Sequence, residues 1–234
     1  MNKRLWIIFG VVVIAVVGIA IYANTANKES SNLDVKDVNW RTIITKDNLP
    51  EGTSEADKEM AADIVYGNPN SKVTYIEWKN FQCSACQSLF HTLDDIYKDY
   101  KDKVAFSERY LYLSGHPNGL ATSVAAEAAA KQGKYYEMHA QLLSNADEWN
   151  YATIEDRESI FQKYAKKIGL DIDKWTEDYR NYEKNGIKER LDFKNKLGLE
   201  AGLTGTPHIM VNGEKVENKD EAIRKALDKA LSEN

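Results

Sequence analysis

Cys83 and Cys86 are the only cysteines in a chain of 234 residues, and they stand three positions apart. No disulfide can staple distant parts of the chain together, so an apolar core has to hold the fold. The pair also marks a change of pattern. Val73-Thr74-Tyr75-Ile76-Glu77-Trp78 is rich in β-branched and aromatic residues, which predicts a strand. From Cys83 onward, Leu89, Phe90, Leu93, Ile96, Tyr97 and Tyr100 fall at helical spacing. Residues 103–113 return to strand composition. The whole reads as a βαβ unit, whose two strands run parallel.

Residues 120–132 are Ala-rich and stop at Gly133, a residue suited to a helix C-cap. Helical periodicity continues over 134–144, 154–168, 172–184 and 187–197, punctuated by Gly169, Gly186 and Gly198. Trp149, Tyr151, Trp175, Tyr179 and Tyr182 are expected to fill the core of this block. Residues 207–211 and 214–216 flank Asn212-Gly213, which predicts a hairpin with a type I′ turn. Residues 219–232 form an amphipathic closing helix. Upstream, residues 40–44 suggest a short strand, and Ser54 suggests the cap of a helix.

The N-terminus carries a different signal. Residues 5–22 hold no charged side chain and follow Lys3 and Arg4. Eighteen residues at about 1.5 Å each span roughly 27 Å, close to the hydrocarbon thickness of a bilayer. Trp6 and Tyr22 sit at the ends, where amphipathic aromatics favour the interface. This predicts one N-terminal transmembrane helix within residues 1–23, with the basic flank cytoplasmic and the rest of the chain outside. A signal peptide cleaved after Ala23 is the competing reading. Residues 24–60 are then a polar stalk and lead-in. The net charge of −5 leaves no electrostatic footprint for nucleic acid.

A helix N-terminus presents unpaired N–H groups and the positive end of the helix dipole. A thiolate there is stabilised, so Cys83 is expected to be the nucleophile and Cys86, one turn on, the resolving thiol. Two cysteines so spaced are also half of a zinc site. His91, His116, His139 and His208 are isolated in the sequence, however, and form no second ligand pair. An inert disulfide closing so small a ring would stabilise little.

Residues 73–86 resemble the first core strand and active site of the DsbA-like branch of the thioredoxin superfamily. Residues 205–213, opening Gly205-Thr206-Pro207, resemble that family's strand-and-turn segment. His116-Pro117-Asn118-Gly119 and the Ala-rich stretch after it resemble the entry to its helical insertion. The likeness runs from Gly67 to the C-terminus. It implies an α/β thioredoxin fold (residues 61–114 and 199–234) with an inserted α-helical domain over 115–198. It implies that Cys83 is exposed, that Cys86 is shielded and that Pro207 is a cis proline facing them. Thr206 would offer backbone groups to a bound substrate, and Glu77 would be a buried acid moving a proton at the second thiol. Strand pattern alone would equally make Glu77 a surface charge.

The activity implied is thiol–disulfide exchange with cysteines of exported proteins, as an oxidase recycled by a membrane-embedded partner. No metal or organic cofactor is implied. One departure bears on direction: strongly oxidising members carry Pro-His between the cysteines, and this chain has Ser84-Ala85. A milder oxidant is expected, and a reductase, an isomerase or a thiolate metal carrier stays open.

Overall fold

The computed structural model describes residues 32–234, so the anchor expected within residues 1–23 lies outside the described residues. Among the described residues no helix is long and apolar enough to cross a membrane. Five strands, β1 (Val65–Gly67), β2 (Thr74–Lys79), β3 (Ala105–Tyr110), β4 (His208–Val211) and β5 (Glu214–Val216), make one sheet in the order β1-β3-β2-β4-β5. The helices are α1 (Glu55–Ala61), α2 (Ser84–Tyr100), α3 (Gly119–Ala130), α4 (Tyr135–Ser144), α5 (Ala146–Trp149), α6 (Ile154–Lys167), α7 (Ile172–Arg180), α8 (Ile187–Glu200) and α9 (Asp220–Ser232).

The βαβ reading holds: β2 and β3 are parallel neighbours joined through α2, and β4 pairs antiparallel with the other edge of β2. The β4–β5 hairpin turns on Asn212 (φ 47°) and Gly213 (φ 81°), the two positive φ values of a type I′ turn. Because side chains alternate along a strand, β2 feeds both layers of the core. Ile76 and Trp78 pack with Phe193 and Leu197 of α8 and with Met210. Tyr75 points the other way, to Ile96 of α2 and Ile223 and Leu227 of α9. Helices α4, α6 and α7 gather around α3. Its alanines at 125, 126, 128 and 129 are all buried, because small side chains let neighbours approach from every side.

Three expectations fail. Residues 40–44 do not form a strand. The carbonyls of Trp40 and Thr42 accept from the Arg109 guanidinium, each at 2.6 Å, and the Ile44 N–H donates to Asp63 at 2.8 Å. Side chains thus take the backbone groups that a sheet neighbour would have paired. Arg109 and Asp63 are joined at 2.6 Å with no side-chain exposure, and Lys194 adds a second cation at 2.6 Å from Asp63. Gly198 is no helix stop either, since α8 runs on to Glu200. A Cβ at Gly198 would sit 2.7 Å from Trp78 Nε1, so glycine here lets the helix cross the indole. Of the aromatics expected in the helical core, Trp149, Trp175 and Tyr179 are buried. Tyr151 is not: its side chain stands in solvent.

Candidate active site

The turn between β2 and α2 is built by Asn80. Its Oδ1 accepts from the Gln82 N–H at 3.0 Å, and its amide donates to the Leu111 carbonyl at 3.1 Å. Its own carbonyl takes the Cys83 N–H at 3.0 Å. Cys83 is thereby the N-cap of α2, and its carbonyl accepts the first helical bond, from Gln87 at 3.0 Å. Both cysteines are free thiols. Cys83 keeps 8% of its surface and Cys86 2%, so Cys83 is the more open thiol but is itself largely covered.

The two sulfurs differ in proton affinity. A hydrogen bond from the Cys86 thiol, with the Thr206 side chain and the N–H groups of Cys86 and Ala85, outweighs burial and pushes Cys83 down to about 5. Cys86 moves the opposite way. Its S–H donates a hydrogen bond to Cys83, it lies deep, and it faces the Glu77 carboxylate, so its thiol is held well above the ordinary range. The Thr206-Pro207 bond is cis, and the Thr206 carbonyl lies 3.4 Å from Cys83 Sγ, where it accepts from the protonated thiol. The buried Thr206 hydroxyl has no hydrogen-bond partner, and its nearness favours the ionised Cys83.

Beneath the thiols lies a buried charged cluster. Glu77 is 2% exposed, so the surface-charge reading does not hold. Lys79, two residues on and on the same face, places Nζ 3.2 Å from Glu77 and 3.1 Å from Glu108. Glu108 stands beside Glu77 in the β2–β3 register. One lysine charge cannot serve two buried carboxylates equally, and the remaining bonds decide between them. Glu108 accepts from the Tyr66 hydroxyl at 2.6 Å and the Tyr135 hydroxyl at 3.1 Å. Burial alone would raise it, but Lys79 and the Tyr66 hydroxyl draw it below its ordinary value. Glu77 Oε1 has no hydrogen-bond partner. Burial, with Glu108 beside it, outweighs Lys79 and raises Glu77 to about 7. His139, on α4, takes a hydrogen bond from Lys79 at 2.7 Å. Burial drives its pKa down to about 3, so the ring is neutral at pH 7.

Glu77 holds a proton near neutrality, Glu108 holds the charge that balances Lys79, and Cys83 sheds its proton readily. Among the described residues no three Cys, His, Asp or Glu side chains are grouped to hold a metal ion.

The thioredoxin family profile matches residues 59–229. The chain belongs to the thioredoxin family. Three solved structures share its fold. BdbD from Bacillus subtilis is 20% identical with a TM-score of 0.62, over 73% of this chain and 93% of that one. The thiol–disulfide exchange protein α-DsbA2 of Wolbachia pipientis is 21% identical with a TM-score of 0.60, over 71% and 86%. MdbA of Corynebacterium diphtheriae, a thiol–disulfide oxidoreductase, is 18% identical with a TM-score of 0.57, over 72% and 90%. The fold is therefore the DsbA-like, helix-inserted form of the thioredoxin architecture. In this chain the Cys83–Cys86 pair of the family stands at the head of α2. Among curated proteins, Na(+)/H(+) antiporters of Mycolicibacterium gilvum and Salinispora tropica are 27% and 31% identical over 65% of this chain. The chain spans about a quarter of the length of those relatives, 24% and 22%.

Of the residues singled out in the sequence, the structure brings Cys83, Cys86, Thr206, Pro207 and Glu77 together. It adds Lys79, Glu108 and His139. The Glu77/Lys79 alternation on one strand face was a usable signal for the first of these. The other two arrive from β3 and α4, and no local pattern marks them.

Proposed function

We propose that this thioredoxin-family chain is a disulfide donor to cysteines of exported proteins. The depressed proton affinity of Cys83 carries the reading. A thiol near 5 is ionised at pH 7, which stabilises the reduced dithiol and makes the disulfide form the more oxidising. The lowering is present without a histidine between the cysteines; the Cys86 thiol, Thr206 and the head of α2 supply it. The steps then balance. A substrate thiolate attacks Cys83 of the disulfide, and Cys86 leaves as a thiolate that takes the proton from Glu77. A second substrate thiolate attacks the sulfur bound to Cys83, which departs as a stable thiolate. The substrate has lost two electrons and the protein has gained them. Thr206 and Pro207 line the face the substrate reaches.

Equilibrium with glutathione redox buffers tests the direction. The expected potential lies well above the thioredoxin value of about −270 mV, toward the DsbA end near about −120 mV. A potential at or below the thioredoxin value would turn the reading to a reductase.

The uncharged run after Lys3-Arg4 supports a cell-surface domain held by one transmembrane helix and recycled by a membrane-embedded redox partner. Protease added to intact spheroplasts should digest residues 34–234. Full protection would refute this topology.

A further inference from the structure

His139 belongs to α4, in the helical block, yet its ring joins the charged cluster on the sheet. Phe81 and Phe90 meet the imidazole edge-on, with centroids 5.7 and 5.5 Å away, and Tyr136 lies 5.6 Å off. The residue is buried, so these rings fix its orientation. Its Nε2 stands 2.7 Å from Lys79 Nζ. An ammonium has hydrogens to give and no lone pair, so Nε2 is the acceptor. A neutral imidazole carries one ring hydrogen, which therefore sits on Nδ1, an atom without a partner of its own.

That bond decides where the lysine charge points. Lys79 Nζ stands 3.2 Å from Glu77 Oε2 and 3.1 Å from Glu108 Oε1, both farther than the imidazole. Glu108 has little capacity left, since Tyr66 donates to Oε1 at 2.6 Å and Tyr135 to Oε2 at 3.1 Å. Tyr135 and His139 are four residues apart on α4, so one helix face supplies both contacts to the cluster. Glu77 differs. Its Oε1 is buried with no partner, which makes it the acceptor that an ammonium released from His139 would take. A charge-assisted bond to that oxygen favours the ionised carboxylate.

We propose that His139 is a positioning residue: it draws the Lys79 ammonium to itself and off the free oxygen of Glu77, so that the helical block governs the acid beneath the thiols. The proposal rests on the reading of Glu77 as the group that supplies a proton to Cys86. His139 acts through Lys79 and makes no bond to the carboxyl itself. The groups facing His139 are Lys79 on β2, Glu108 on β3, and Asp94 on α2, which Lys98 partly balances. Those facing Glu77 are Lys79, Glu108, and Cys83 and Cys86 at the head of α2.

Carbon-13 NMR titration of the side-chain carboxyls in the oxidised full chain tests it, because the disulfide keeps both cysteines from titrating. The Glu77 signal is the one lost in Glu77→Gln. His139→Phe keeps a ring but offers no acceptor, and is expected to lower the Glu77 midpoint by about one pH unit, a tenfold change in proton affinity. His139→Gln, whose amide oxygen offers Lys79 an acceptor again, is expected to keep the wild-type midpoint. A midpoint that does not fall with Phe, or that falls equally with Gln, overturns the proposal. Nitrogen-15 NMR of the wild-type ring needs no variant to fold: hydrogen on Nδ1 is expected, and hydrogen on Nε2 overturns the proposal as well. A wild-type Glu77 that titrates at the ordinary value of about 4.3 would instead remove the reading of Glu77 as an acid at neutral pH, and this proposal with it.

Discussion

Cys83→Ser is expected to leave no measurable exchange with either peptide or protein thiols, while Cys86→Ser is expected to accumulate mixed disulfides. The asymmetry follows from the head of α2. Cys83 caps the helix, receives the N–H groups of Ala85 and Cys86, and sits near 5; Cys86 is buried and its proton is tightly held. Only the thiolate is a nucleophile, so at pH 7 the first sulfur reacts and the second waits for an intramolecular step. Removing Cys86 takes away the resolving thiol, and partners stay bound to Cys83. Separation without reductant, followed by mass spectrometry of the trapped species, checks this. Partners trapped on Cys86 in the Cys83→Ser variant would reverse the assigned roles.

Glu77→Gln is expected to stabilise the protein and slow it. Burial raises the native carboxyl to about 7 from its ordinary 4.5, so folding costs nothing extra while the group is protonated, below about pH 4.5. The penalty grows as pH rises through the folded value, because an ionised Glu77 is buried beside Glu108 with only Lys79 to share. Linkage at about 1.36 kcal/mol per unit makes the plateau on the order of 3 kcal/mol. A neutral glutamine escapes it, so the variant should match wild type near pH 4 and exceed it increasingly up to about pH 7. The same change removes the proton that meets the departing Cys86 thiolate, and loss of one general acid slows such a step by about 10²-fold. Denaturant melts across this pH window, alongside single-turnover exchange rates, read both effects. Equal stability at pH 8 together with an unchanged rate profile would return Glu77 to a passive place in the core.

A role for Glu77 was implied only by family likeness, and the partners around it were not legible at all. Strand, helix and hairpin signals are local: β2, α2 and the Asn212-Gly213 turn could be read because period and turn chemistry sit within a few residues. The partners that set the Glu77 proton come from β3 and α4, and only the folded sheet places Glu108 beside it. Residues 40–44 carried strand composition, yet Arg109 and Asp63, distant in sequence, claimed their backbone groups. Gly198 had the look of a helix stop and proved to be the clearance for Trp78. Tyr151 carried the same aromatic signal as Trp149, but only Trp149 turns into the core. In each case a long-range contact decided against a sound local rule.

The pH dependence of alkylation of the reduced protein, with the labelled cysteine identified by mass spectrometry, tests the dithiol most directly. Cys83 should be labelled with a midpoint near 5, and Cys86 should stay unlabelled through neutral pH. A midpoint near the ordinary thiol value of about 8.5, or earlier labelling of Cys86, would contradict the proton asymmetry on which the oxidase mechanism stands.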